Sequence, residues 1–221
     1  MEAFLLSKWK GIDVSSHQGD VNFKAVKKAG YSFVIIKAGQ GTRPMKTFRE
    51  KYLPGVLDAG LEWGAYWWSD ATSERSARNE ALAFIDELAN LKPSFPVFMD
   101  QEYDSPVGKL DRESNRKLRS RLIDTFCGTL EEHGFYTGVY ASADWFNNWV
   151  DDSMIRQYTH WVAQYASKCT YPGGYGIWQH KVSGANEIPG CALPVDLNIA
   201  YLWYPNIIKK GCFNGWCRND V

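Results

Sequence analysis

Residues 96–102 read Pro96-Val-Phe-Met-Asp-Gln-Glu102, a short apolar run that ends in two acidic side chains. The run is typical of a buried β-strand, because it is short, begins at a proline and directly follows a segment, residues 73–90, with helical apolar spacing. Side chains two positions apart on a strand point to the same face. The sequence therefore predicts that Asp100 and Glu102 project together from a strand end.

The rest of the chain alternates strand-like and helix-like segments, which is the pattern of parallel strands joined by crossover helices. Strands are predicted at residues 11–15, 32–38, 62–68, 96–102 and 137–141, and helices at residues 22–30, 47–59, 73–90 and 111–133. Gly60 is expected to end the second helix in a left-handed conformation, and Asp111 to cap the fourth.

After residue 141 the helical pattern fades, and strand-like pieces follow at residues 161–165, 176–180 and 195–201. The total of eight strands predicts an α/β fold, a TIM-like barrel with a reduced helix complement. Since the last three strands lack full crossover helices, some of them are expected to be antiparallel.

The chain of 221 residues fits a single domain. We assign residues 1–204 to the barrel and residues 205–221 to a C-terminal tail that either packs on the barrel or begins a linker. No apolar run is long enough to cross a bilayer, so membrane insertion is not expected. The apolar stretch at residues 3–6 is too short for a secretory signal, so either a signal has been removed or export uses another route.

Composition excludes one class of partner and leaves the redox state open. The formal net charge is zero, so no strong field favours nucleic acid. Cys127 falls in a helical pattern and is predicted to be a buried thiol. Cys169 with Cys191, and Cys212 with Cys217, lie in loop-like sequence and could each form a bridge.

The paired carboxylates suggest a chemistry. In an apolar setting two neighbouring carboxylates repel each other, which raises the pKa of one and makes it a usable acid near neutral pH. Glycosidases need such an acid beside a second carboxylate that supports a cationic transition state. Asp13 and Asp196 stand at further strand ends and could face the same groove, although Asp13 could instead cap a turn.

Other chemistries have less support. His17 stands near Asp13, but no second histidine or cysteine lies at ligand spacing, so we expect His17 to make a loop hydrogen bond and expect no metal or other cofactor. No serine nucleophile elbow, phosphate loop or dinucleotide fingerprint occurs, which argues against acyl transfer and nucleotide chemistry.

With these residues in view, the chain resembles glycoside hydrolase family 25, the lysozymes that cut between N-acetylmuramic acid and N-acetylglucosamine. The matching motifs occur in family order between about residues 10 and 203. They are Gly11-Ile-Asp-Val-Ser-Ser-His-Gln-Gly19, Phe33-Val-Ile-Ile-Lys-Ala-Gly39, Gly64-Ala-Tyr-Trp-Trp68, Pro96-Val-Phe-Met-Asp-Gln-Glu102, Gly138-Val-Tyr140, Ile177-Trp-Gln179 and Val195-Asp-Leu-Asn198.

The resemblance implies roles for these residues. Glu102 matches the general acid, Asp100 the carboxylate beside it, and Asp13 and Asp196 the other acidic positions of the family groove. It also implies that four further side chains line the sugar groove, namely Tyr66, Tyr140, Trp178 and Gln179. Retaining hydrolysis is expected, either through a carboxylate nucleophile or, as we favour, through the substrate's own acetamide group. His180 stands where relatives often have tyrosine.

The partner implied is the glycan strand of bacterial peptidoglycan, cut by a monomeric enzyme. An endolysin, an autolysin and a secreted competitor-killing enzyme would all use this chemistry. The enzyme would be secreted or act on the cell wall, or, if phage-derived, be made in the host cytoplasm and released at lysis. Two alternatives remain: a catalytically silent wall-binding module, which would have lost Glu102, and a chitinase-like hydrolase, which expects more aspartates on the strand that carries Phe98.

Overall fold

The computed structural model describes residues 8–217 of the chain. Within this part, nine strands form one sheet. They are β1 (Trp9–Val14), β2 (Phe33–Gln40), β3 (Arg43–Pro44), β4 (Glu62–Trp68), β5 (Val97–Asp100), β6 (Thr137–Ser142), β7 (Thr159–Ala163), β8 (Ile177–Val182) and β9 (Asp196–Ala200).

Eight of these strands close a barrel. The neighbours run in the order β1, β9, β8, β7, β6, β5, β4, β2, and β1 pairs with β2 to complete the ring. The pairs from β4 to β8 are parallel, as are β1 with β2 and β2 with β4, whereas β9 runs antiparallel to both β1 and β8. The predicted barrel and its antiparallel component are confirmed, and the antiparallel component is β9.

The helices cover the outside of the barrel. The α-helices of the described chain are α1 (Phe23–Lys28), α2 (Leu53–Asp58), α3 (Glu74–Glu87), α4 (Arg116–Glu132), α5 (Ala143–Asn148) and α6 (Tyr204–Lys210). Helix α3 begins where the sequence predicts it, since the Ser73 side chain accepts a hydrogen bond from the backbone N–H of Ser76. Gly60 follows α2 with a φ of 64°, the left-handed conformation expected at the end of a helix.

Some sequence predictions need correction. Asp111 does not cap α4: it accepts the backbone N–H of Ser114 at 2.9 Å in a preceding turn, and Asn115 occupies the cap position without a side-chain hydrogen bond. An aspartate side chain can accept the backbone N–H three residues later either at a helix N-terminus or in a turn, and Asp111 does so in a turn. The hairpin strand β3 and the short helix α5 were not predicted, because neither carries a long periodic pattern.

The interior of the barrel changes character along its axis. At the N-terminal end of the parallel strands, inward-facing aromatic and aliphatic side chains form a closed plug. The plug consists of Phe33, Ile35, Phe95, Phe98, Trp161, Ile177, Ala200, Tyr204 and Ile208. Phe33 and Phe95 stack with ring centroids 4.3 Å apart. This dry packing holds the strands at fixed positions and supports the polar residues that lie beyond it.

Residues after α6 pack across this plugged end. The buried side chain of Asn214 donates to the carbonyl oxygens of Pro93 and Phe95 and accepts from the backbone N–H of Tyr136. The indole of Trp216 also donates to the Pro93 carbonyl at 3.2 Å. The predicted tail, as far as residue 217, therefore lies against the barrel.

The cysteine bridges considered from sequence do not form in the described chain, where the thiols of Cys127, Cys169, Cys191 and Cys212 are not in disulfides. Cys127 is buried, as predicted. Between residues 8 and 217 no helix combines the length and apolar character needed to span a bilayer. The question of a secretory signal concerns residues 1–7, which lie outside the described residues.

Candidate active site

A pocket of about 150 Å³ opens at the C-terminal ends of the parallel strands, above the aromatic plug. Carboxylates, amides and aromatic rings line this pocket together. The lining residues are Asp13, Ser15, His17, Lys37, Tyr66, Trp68, Asp100, Glu102, Tyr140, Trp161, Gln179 and Asp196. Barrel enzymes build their active sites at this end of the strands, where successive loops converge.

The strand pleat explains why these residues meet. On β5, Phe98 contributes to the plug, and Asp100, two positions later, reaches the pocket. On β2, Ile35 lies in the plug and Lys37 lies in the pocket by the same alternation. Strands β2 and β5 thus each place an apolar side chain in the plug and a polar one in the pocket.

Asp100 and Glu102 share the pocket although only Asp100 belongs to the strand. Strand β5 ends at Asp100, and the following turn places Glu102, with its backbone N–H donating to the hydroxyl of Ser105 at 3.1 Å. The two carboxyl groups are hydrogen-bonded to each other. Asp100 is 2% exposed, and its Oδ1 has no hydrogen-bond partner among the described residues.

The environment raises the pKa of both carboxyls. Burial, followed by the negative charge of Glu102, raises the pKa of Asp100 well above its usual range. Burial and then the charge of Asp104 raise the pKa of Glu102, whereas the ammonium group of Lys37 acts in the opposite direction. The pair can therefore hold one proton at a pH where exposed carboxyls hold none, which is the state a general acid needs.

Asp13 and Asp196 form a second acidic pair on the neighbouring strands. They stand directly opposite each other in the antiparallel register of β1 and β9. Oδ2 of Asp13 accepts the side-chain amides of Gln179 at 3.0 Å and Asn198 at 2.8 Å. Burial, reinforced by Asp196, raises the pKa of Asp13 to about 7. Asp13 is thus held by its amide donors rather than by a turn of its own.

The predicted groove side chains divide into two groups. Tyr66, Tyr140 and Gln179 line the pocket, and the Tyr140 hydroxyl donates to Oε1 of Gln179 at 2.9 Å. Trp178 does not line it: between inward-facing Ile177 and Gln179 the pleat turns it outward, and its indole donates to the carbonyl of Gln164 at 2.8 Å. The structure therefore does not place Trp178 in this pocket, and a contact of Trp178 with sugar stays a prediction.

The sequence analysis missed Lys37, which lines the pocket, and two residues that hydrogen-bond its aspartates, Asn198 and Tyr165. Asn198 and Lys37 lie in step with inward-facing neighbours on their strands, so the period of two would have found both. Tyr165 follows β7, is 59% exposed, and donates through its hydroxyl to Oδ1 of Asp196 at 2.8 Å. No strand pattern indicates Tyr165, because its contact depends on how two distant strand ends meet.

His17 reaches the pocket but has no partner set for a metal. Its backbone N–H donates to the hydroxyl of Ser15 at 3.3 Å, and its exposed side chain lines the rim. Over residues 8–217 no group of three or more histidine, cysteine, aspartate or glutamate side chains is arranged to hold a metal ion. The chemistry available to the pocket's own side chains is proton transfer and stabilisation of positive charge by carboxylates.

A barrel with two carboxylate pairs and aromatic walls at its C-terminal end is typical of glycoside hydrolases. The chain belongs to the glycosyl hydrolases family 25, whose model matches residues 12–190.

Known relatives agree with this assignment. The chain is 29% identical to the autolytic lysozyme of Clostridium acetobutylicum over 83% of its own length and 54% of that protein's. It is 26% identical to lysozyme M1 of Streptomyces globisporus over 86% and 66% of the two lengths. The chain thus spans between half and two thirds of these two relatives.

The fold also matches solved structures. The bacterial lysozyme from Streptomyces coelicolor superposes with a TM-score of 0.73 at 25% identity, covering 90% of this chain and 98% of that one. The CTP1L endolysin superposes with a TM-score of 0.74 at 21% identity, covering 91% of this chain and 70% of that one.

Proposed function

We propose that this protein is a peptidoglycan hydrolase that cuts the β-1,4 bond between N-acetylmuramic acid and N-acetylglucosamine, with Glu102 as the general acid. The observation that carries the proposal is the hydrogen-bonded pair of buried Asp100 and partly buried Glu102 at the C-terminal end of the barrel. Membership of glycosyl hydrolases family 25 and the lysozyme names of relatives support this choice of reaction and substrate.

In the proposed first step Glu102 donates its proton to the glycosidic oxygen as the bond to the sugar's anomeric carbon breaks. Glu102 suits this role because it is only partly buried and can reach substrate, whereas Asp100 is closed in beneath it. The pair retains a proton because burial and neighbouring negative charge raise the pKa of both carboxyls, and Glu102 is the member that can pass this proton to substrate. Glu102 then takes a proton from water in the second step.

The positive charge that develops on the sugar is stabilised by the other carboxylates. We favour attack by the substrate's own acetamide oxygen, giving an oxazolinium-like cation that Asp13, Asp196 and Asp100 orient and stabilise. The amide donors on Asp13 fix its orientation without neutralising it. Tyr66, Tyr140 and Gln179 are proposed to contact the sugar, since they line the same pocket.

The partner in this proposal is the glycan strand of a bacterial cell wall, met by a monomeric enzyme outside the cell membrane. Residues 1–204 would be the catalytic domain. A silent wall-binding module has less support, because Glu102 is present and lies with Asp100 in the pocket. A chitinase-like hydrolase has less support because the chain belongs to another family.

Digestion of purified peptidoglycan tests the proposal. Products of the wild type and of Glu102→Gln are reduced with borohydride, and the new reducing ends are identified by mass spectrometry. We expect muramitol ends from the wild type and a rate about 10²–10⁴-fold lower in the variant, the range contributed by a positioned general acid.

The matched control is Glu50→Gln, an exposed glutamate far from the pocket, which should digest like the wild type. Glucosaminitol ends would assign the other glycosidic bond. Undiminished hydrolysis by Glu102→Gln would remove Glu102 from the mechanism.

A further inference from the structure

Lys37 is the one lysine or arginine among the side chains that line the pocket in the described chain. It lies two residues beyond Ile35 on the inward face of β2, next to a β-bulge between Lys37 and Gly39. A bulge re-aims the side chains beside it. Its ammonium group stands 4.9 Å from the centroid of the Trp68 ring, on the wall of the pocket.

A short chain of hydrogen bonds holds this ammonium group in place. Nζ of Lys37 donates to Oε1 of Gln40 at 3.4 Å, and Nε2 of Gln40 donates to Oδ1 of Asp70 at 3.2 Å. The neutral amide therefore separates the lysine from Asp70. The backbone N–H of Asp70 donates in turn to Glu80, a buried acid on α3. This chain of hydrogen bonds through Gln40 and Asp70, called the strut below, links Lys37 to helix α3.

The positive charge of Lys37 acts on the carboxyl pair. Burial lowers the pKa of Lys37, and the negative charges of Asp100, Glu102 and, at the far end of the strut, Asp70 act against this and favour the ammonium form. The same pocket is also lined by Asp13, Asp196, the rim residue His17 and the tyrosines Tyr66 and Tyr140. Four carboxyls thus line the pocket that holds Lys37, and those of Asp100 and Glu102 are the two on which its charge acts.

We propose that Lys37 is a positioning residue for Asp100 and Glu102: its ammonium group, held by Gln40 and Asp70, keeps one carboxyl of the pair ionised while the other retains the proton. Without this charge both carboxyls would stay protonated to higher pH, and the pair would carry no negative charge beneath the reacting sugar. The inference rests on the proposed glycosidase function for its kinetic consequence, whereas its electrostatic consequence does not.

Two neutral variants, Lys37→Met and Lys37→Gln, remove the charge, and Lys37→Arg keeps it. Lys46→Met is the matched control, since Lys46 is exposed outside the pocket. The first measurement is the pH profile of kcat/KM on soluble peptidoglycan fragments. We expect the acid limb of the neutral variants to move up by about one pH unit or more, as for loss of an opposite charge near a carboxyl. Lys37→Arg should restore most of the wild-type profile.

The second measurement is the midpoint of thermal unfolding between pH 4 and pH 8, which needs no activity. The stability deficit of the neutral variants should grow with pH, because the cation stabilises carboxylates only once they ionise. A deficit that is equal at all pH values, or reduced activity with an unmoved acid limb, would assign Lys37 a purely structural role and overturn the proposal.

The strut is tested by Gln40→Leu, which should move the acid limb in the same direction by less than Lys37→Met does. An unmoved limb in this variant would overturn the part assigned to Gln40. If the wild type fails to cut peptidoglycan, the proposed function is wrong, while the pH dependence of unfolding still decides the role of Lys37.

Discussion

The two ends of the barrel are built by the same strands and have opposite chemistry. At the N-terminal end of the parallel strands, the plug contains Phe33, Phe95 and Phe98, which are all apolar and fully buried. At the C-terminal end, the side chains of Asp13 and Asp100 are nearly as buried but ionisable. Burial stabilises the first group and raises the pKa of the second. The same low-polarity surroundings therefore support the fold at one end and prepare acid chemistry at the other.

The largest expected effect is on the plugged end. Phe95→Ala removes a ring stacked on Phe33 and should lower the free energy of unfolding by about 3–5 kcal/mol, as large-to-small core changes do. Denaturant unfolding measures this, with the 54% exposed Leu57→Ala as control. A loss below about 1 kcal/mol, the scale of an ordinary surface change, would show that the plug is not tightly packed.

The next effect belongs to the acidic end. Asp13→Asn and Asp196→Asn should each reduce kcat by about 10²-fold with a smaller change in KM, because they act mainly on the transition state. Both rates are measured on peptidoglycan fragments beside Asp58→Asn, an exposed position. Unchanged turnover in either variant would leave that aspartate with a structural role only.

Stability at the acidic end should depend on pH. A carboxyl whose pKa is raised by folding contributes stability below its unfolded pKa, and this contribution is lost as pH rises through the folded value. Asp100→Asn mimics the protonated form, so it should unfold like the wild type near pH 4 and be more stable at pH 8 by about 1–3 kcal/mol, the scale of an unsatisfied buried polar group. A gain at pH 4 equal to that at pH 8 would contradict this account.

The smallest effects compare the two faces of β8, with Gln179 on its inner face and Trp178 on its outer face. Tyr140→Phe removes the hydrogen bond that orients Gln179 towards Asp13 and should lower kcat/KM by roughly fivefold, about 1 kcal/mol. Trp178→Phe, on the outer face, should leave KM within about twofold and lower stability by a similar 1 kcal/mol. A KM effect of Trp178→Phe that exceeds the effect of Tyr140→Phe would return Trp178 to the sugar-binding set.

Local patterns in the sequence were sufficient for much of the fold. All eight predicted strands are present, and β4 has the predicted bounds, because hydrophobic alternation and turn residues act over a few positions. The same period placed Asp100 inward. It did not extend to Glu102, which lies past the end of β5 in a turn. For Trp178 the family resemblance implied a place in the groove, whereas its parity on β8 places it outside the pocket.

What the sequence by itself determined is the inward or outward direction of each strand residue and the presence of Asp100 and Glu102 at a strand end. The tertiary structure decided which strand ends meet. Closure through antiparallel β9 brings Asn198 onto Asp13, 185 positions away, and sets Asp196 opposite it. The same closure brings Lys37 of β2 into one pocket with Asp100 and Glu102. Direction is a local property of the pleat, whereas these contacts arise only when the barrel closes and excludes water, which is also what shifts the pKa values.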